Sequence, residues 1–282
     1  MTVVVGYRAD KVGLSGLYLA VSFARTLKTS LTVATIVPKA WPAPSLARVD
    51  AEFEHWAEHL AENSAREARH YLFPLADGVE VDYVQRAHRS VSNGLLEVAQ
   101  EVGAEVLVLG SLPSGGRGQA VFGSTADWLR HSSPVPLAIS APGYHSQTGG
   151  LTRLSCAYSA NPQSVGVVAR CAEYAERLGL PLRVITFAVR GRTMYPPDVG
   201  LDVEDAVLEA WAVQAREILE SLKVDGVVGD DVVLQVVTGH SWVEVLHQAD
   251  WIDGEILTLA TSPRTELRRV LLGTRSDKII RH

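Results

Sequence analysis

Cysteine is nearly absent from this chain: only Cys156 and Cys171 occur in 282 residues. A disulfide framework is therefore excluded. Cys156 lies in an apolar, strand-like run and Cys171 on the inner stripe of a helix-like one, so both are expected as buried, reduced thiols. Apolar runs are short, and none approaches the ~20 residues of a membrane span. Positive charge is not in excess, since 26 Lys and Arg against 32 Asp and Glu leave a net charge of −6. Nonspecific nucleic-acid binding, which needs a concentrated basic surface, is excluded on that ground. There is no Gly-x-Ser-x-Gly elbow and no His-Glu-x-x-His, and neither cysteine has an obvious catalytic partner. Nothing nominates an acid, base or nucleophile, and no enzyme is expected. Met1-Thr2-Val3-Val4-Val5 enters a strand pattern directly, without the basic and apolar leader of a secretory signal. The expected address is cytoplasmic.

What the chain does have is a repeat. Gly110-Ser111-Leu112-Pro113 is followed, nine residues on, by Gly123-Ser124; Ala260-Thr261-Ser262-Pro263 is followed, nine residues on, by Gly273-Thr274. Each follows a short apolar run of the kind that forms a buried parallel strand. An offset of 151 also pairs Tyr7 with Tyr158, Ala24 with Ala175, Leu31 with Leu182 and Thr35 with Thr186. Such pairs, in one order and with the same run of elements between them, mean two copies of one domain. The expected division is 1–141, a linker at 142–150, and 151–282, each copy long enough for its own core.

Within each copy, strand and helix patterns alternate. Strands are expected near residues 3–7, 31–37, 79–84 and 106–109, with a last edge strand at Pro134-Val135-Pro136-Leu137-Ala138-Ile139, where prolines are tolerated. Long helices are expected from Ser45 toward Phe73 and from about Asp202 to Leu222, with Trp56 and Trp211 packed in the core. No counterpart of the last strand is expected in the second copy, either because the chain is cut short there or because the second sheet is a strand short. Alternation of this kind predicts α/β architecture: two open parallel sheets with helices on both faces, the second a strand short. In such sheets ligands sit beyond the carboxyl ends of the strands, where strand order reverses. The loops after strands 1 and 4 are the places to look.

Gly123-Ser124-Thr125 and Gly273-Thr274 suit a phosphate, because free N–H groups and the helix dipole favour an anion and the hydroxyl adds a donor. The alternative is that Ser124 and Thr274 only cap their helices. Arg8, just past strand 1, either grips an anion or pairs with an acid such as Asp10. His55 and His59 stand at i and i+4 on one helix, a spacing that can hold a metal. No third ligand is identifiable, so a solvent-facing pair and no metal are expected.

The pattern Gly-x2-Gly-x9-Gly-Ser/Thr after the fourth strand resembles that of the universal stress proteins, and it covers nearly the whole chain, twice. Arg130-His131 before Pro134-Val135-Pro136 is similar to the family's ending, with Arg281-His282 as an echo. The resemblance implies a Rossmann-like fold of the adenine nucleotide alpha hydrolase type, a role in stress response, and division into ATP binders and non-binders. It also implies an aspartate after strand 1 in the binders. Here that position is Arg8, and Ser159 in the second copy. Neither accepts hydrogen bonds as a carboxylate does. The second loop glycine is Pro113 and Pro263, and proline has no N–H to offer. Ala260 replaces even the first glycine in the second copy.

The expectation is therefore a non-enzymatic tandem member with degenerate nucleotide sites, acting by regulatory or protein contacts. The alternative is an ATP-binding protein with one working site at Gly110, Gly123, Ser124, Thr125 and Arg8, the Gly273-Thr274 site being weaker. The resemblance further implies self-association, either copy against copy or as a homodimer through the strand from Pro136 to Ser140.

Overall fold

A computed structural model of the chain describes residues 2–9, 14–39, 47–111, 123–141, 143–145, 149–159, 165–189 and 201–259. The described residues divide into two compact units, one ending at Gly150 and the next beginning at Leu151. The first holds β1 (Thr2–Gly6), α1 (Ser15–Leu27), β2 (Ser30–Pro38), α2 (Ala47–Leu72), β3 (Val81–His88), α3 (Val91–Glu101), β4 (Ala104–Gly110), α4 (Ser124–Ser132) and β5 (Leu137–Ser140). The second holds β6 (Arg153–Ala157), α5 (Val165–Leu178), β7 (Leu182–Val189), α6 (Leu201–Val224), β8 (Val233–Gly239), α7 (Trp242–His247) and β9 (Glu255–Thr258).

The strands pair in the order β3-β2-β1-β4-β5 in one sheet and β8-β7-β6-β9 in the other, every neighbouring pair parallel. Helices on both faces explain the unbroken apolar runs: Val3, Val4 and Val5 are each fully buried. The edge strand β3 instead alternates between half-buried and exposed positions. On one face Val4, Ile36, Leu95, Val98, Leu107 and Leu129 form a single core. The last strand begins at Leu137, so Pro134 and Pro136 lie before it. Pro136 still contributes a carbonyl, which accepts from the Leu107 N–H at 3.0 Å.

The duplication is visible atom by atom. The Tyr7 N–H donates to the Ala34 carbonyl at 3.0 Å and the Tyr158 N–H to that of Ile185 at 2.9 Å. The Thr35 hydroxyl donates to the Tyr7 carbonyl at 3.1 Å, and the Thr186 hydroxyl repeats this on Tyr158 at 3.1 Å. Lys28 and Gly179, which are 151 residues apart, both turn left-handed after their helices (φ 52° and 64°). Among the described residues the second sheet has four strands and no counterpart of β5.

Two features of the second unit depart from simple repetition. Arg183 on β7 is fully buried, although its counterpart at the offset of 151 is Thr32. Its guanidinium pairs with Glu255 at 2.6 Å and donates to Ser155 Oγ at 2.7 Å, Gln235 Oε1 at 2.8 Å and the Ala249 carbonyl at 2.5 Å. Arg153 binds the other carboxylate oxygen of Glu255 at 2.6 Å, and Trp251 lies under Arg183 with its ring centroid 4.7 Å away. Burial pulls the Arg183 pKa below its ordinary value, opposed by the Glu255 carboxylate. The corresponding helix is also shorter than in the first copy. There α3 has 11 residues, whereas α7 has six and stops before Ala249, whose carbonyl is taken by Arg183.

Cys156 and Cys171 are free and buried in one core cluster. The hydrogen bond with Cys171, reinforced by burial, pushes the Cys156 thiol well above the usual range. The tryptophans of the long helices are not core residues: Trp56 is 49% and Trp211 42% exposed. Helical periodicity places a side chain on a face. It does not decide whether a neighbour covers that face.

Candidate functional site

Strand order reverses between β1 and β4, so the crevice beyond their carboxyl ends is the place this architecture provides for a ligand. Its near wall is the turn after β1. Ala9 N–H donates to Ser64 Oγ of α2 at 3.2 Å, and Tyr7 Oη donates to Glu67 of the same helix at 3.4 Å. Burial, with the Glu67 carboxylate adding to it, pushes the Tyr7 phenol up to about 12. Tyr7 is thus a neutral anchor for the turn. Arg8 sits half-buried within it and is engaged in an interaction of its own. The turn is pinned to β2 and α2 on either side of the residue that replaces the expected aspartate.

The floor is made by backbone in close approach. A Cβ on Gly16, in the first turn of α1, would lie 2.9 Å from the Gly110 nitrogen and 3.1 Å from its Cα. Only glycine lets the start of α1 rest on the end of β4. Ser140, at the end of β5, donates to Ser15 Oγ at 3.0 Å, so three element ends meet. Ser111 follows Gly110 and is 4% exposed. Its Oγ is buried without a hydrogen-bond partner among the described residues, which is costly unless something supplies one.

On the far side, α4 begins at Ser124 with Gly123 as its N-cap (φ −71°, ψ 165°) and no side-chain cap. This corrects the capping expectation for Ser124. It is the first helical residue rather than the cap, so its hydroxyl does not replace a ligand for the helix N–H groups. Ser124 is exposed, and Gly123 and Thr125 are half-buried. A helix N-terminus without a side-chain cap keeps its donors and its positive dipole end for an anion. Asp127 in the first turn is held by Arg130 at 2.9 Å.

The structure thus gathers Gly110 with Ser15, Gly16, Ser111 and Ser140, and starts α4 at the Gly123-Ser124-Thr125 group. Gly273 and Thr274, with Pro113, Ala260 and Pro263, lie outside the described residues. Ser15, Gly16 and Ser140 carried no sequence signal, because a contact between two element ends has no periodicity. At the offset of 151, Gly16 corresponds to Val167, which packs against the second core.

The fold defines an α/β protein with an open parallel sheet in each of its two units. The model of the universal stress protein family matches residues 1–140 and again 151–282, and the chain belongs to that family. It is 65% identical, over its full length and 97% of the relative's, to a universal stress protein of Mycobacterium tuberculosis. Among solved structures, a putative universal stress protein from Pseudomonas aeruginosa aligns with 99% of this chain and 88% of its own at 15% identity and a TM-score of 0.51. A universal stress protein solved in complex with cAMP matches half as much, covering 51% of this chain and 98% of its own at 21% identity and a TM-score of 0.38. Among the described residues no helix is long and apolar enough to cross a membrane.

Proposed function

We propose that this chain is a non-enzymatic tandem universal stress protein of the cytoplasm, with degenerate nucleotide sites, acting through regulatory protein contacts. One observation carries the reading. The turn after the first strand, held by the same pair of hydrogen bonds in both copies, presents Arg8 in one and Ser159 in the other, so neither offers a carboxylate to a nucleotide. The prolines at 113 and 263 remove a further donor from each loop. Residues 142–150 serve as the linker between domains 1–141 and 151–282.

Isothermal titration with ATP, ADP and AMP tests this. The expected result is no binding at micromolar nucleotide, and micromolar binding by the wild-type chain contradicts it. The second reading is one working ATP site in the first copy. It is favoured by the unpartnered Ser111 hydroxyl beside a helix start that has no side-chain cap. On that reading binding appears in the titration and Gly123→Val abolishes it.

Self-association is expected through the Pro136–Ser140 segment, whose strand β5 (Leu137–Ser140) has no strand partner on its outer side among the described residues. Light scattering is expected to give a homodimer. A monomer at all concentrations leaves only pairing of copy against copy within the chain.

A further inference from the structure

The i,i+4 pair on α2 takes a more definite form in three dimensions than its spacing required. His55 and His59 turn their Nε2 atoms toward each other at 3.1 Å, with ring centroids 4.3 Å apart and planes at 82°. We propose that these two imidazoles form a chelate for a late first-row divalent cation, Cu²⁺ above Ni²⁺ and Zn²⁺.

The geometry carries the proposal. Imidazole nitrogens bind such ions at about 2.0–2.1 Å, so two of them stand about 3.3 Å apart at a tetrahedral angle and about 2.9 Å apart at a right angle. The observed separation falls between these values, and the bite is formed before any ion arrives. Each neutral imidazole carries one proton, and the hydrogen bond places one of them between the facing nitrogens. Moving that proton to Nδ1 of its own ring leaves two lone pairs converging on one point, with no change in charge. Both histidines are exposed, so water can complete the coordination sphere, and the exposed Glu54, Glu58 and Glu62 surround them with negative charge.

Among the described residues no group of three or more His, Cys, Asp or Glu side chains is placed to hold a metal. The protein thus supplies two donors, which suits an exchangeable ion rather than a structural one. With imidazole the only protein donor, the general affinity order of divalent ions puts copper first. The same helix holds the turn after β1 through Ser64 and Glu67, so an ion clamping its preceding turn acts on the element that positions the crevice.

The test is titration of the untagged, chelator-stripped full chain with Cu²⁺, followed by calorimetry and electron paramagnetic resonance. The wild-type chain is expected to bind one equivalent ahead of all others, with hyperfine structure from two nitrogens. His55→Ala and His59→Ala should each lower that affinity by at least about tenfold. Combining His55→Ala with Asn63→His rebuilds an i,i+4 pair around His59 one turn further on and should restore it. Equal affinity in the wild-type chain and the His55→Ala/His59→Ala double variant overturns the proposal, as does a one-nitrogen spectrum from the wild-type chain.

Discussion

Arg183→Ala is expected to destabilise the second unit by ~3–5 kcal/mol, the scale of breaking a buried ion pair from one side. The substitution leaves Glu255, whose side chain is 1% exposed, with Arg153 as its one remaining cation, beside the Ser155 hydroxyl and the Ile252 N–H. It also strips the donor from the Ala249 carbonyl and the cation from the face of Trp251. Because Glu255 on β9 reaches across β6 to Arg183 on β7, the loss should fall on the pairing of the edge strand β9. Hydrogen exchange read at the amides of β6, β7 and β9, alongside urea unfolding, checks this. Adding Glu255→Gln to Arg183→Met removes the stranded charge and should recover part of the loss. If Arg183→Ala costs less than about 1 kcal/mol, the typical effect of a point mutation, the ion pair does not hold this sheet together.

Gly16→Ala is the second substitution with a large expected effect, about 1–3 kcal/mol of destabilisation from overpacking. Its new methyl group would press on the backbone of Gly110, and backbone at the end of a central strand cannot rotate away as a side chain can. Relief requires α1 to lift from β4, which also parts Ser15 from Ser140 and opens the crevice. The matched control is Gly166→Ala at the start of α5, where a Cβ meets nothing within 4 Å among the described residues. There the better helix propensity of alanine should leave stability unchanged or raise it by up to ~1 kcal/mol. Denaturant midpoints of the two variants against the wild-type chain decide the matter. Equal and small shifts for both would mean that the Gly16–Gly110 approach is not under steric constraint.

The extent to which the chain could be read in advance followed from the kind of interaction involved. The strands near Val3–Val5 and Leu107–Leu109 and the amphipathic α1 and α5 were legible because burial there repeats with the period of the element. The site was half legible. Gly110 and the start of α4 were found because they sit in a duplicated motif, whereas Gly16, Ser15 and Ser140 were not, since their contacts join three elements far apart in sequence. Of the two readings open for Ser124, phosphate donor or helix cap, the structure removes the second; a Gly-Ser pair at a helix start does not itself say which residue is the cap. Trp56 and Trp211 were assigned to the core from their helices alone, and the surrounding packing leaves both substantially exposed. Arg183 had no signal at all. An arginine in a strand pattern looks like an exposed position until its partners on β6, β8 and β9 are seen around it.

The sequence by itself determined the duplication, the alternation of strand and helix, and the loss of the strand-1 carboxylate in both copies, because these are properties of local order and residue type. Only the tertiary structure decided which glycine lets α1 meet β4, that a buried guanidinium ties together the strands of the second sheet, and that two imidazoles on α2 face each other at 3.1 Å. Each of those depends on atoms brought together through space, which a linear pattern does not encode.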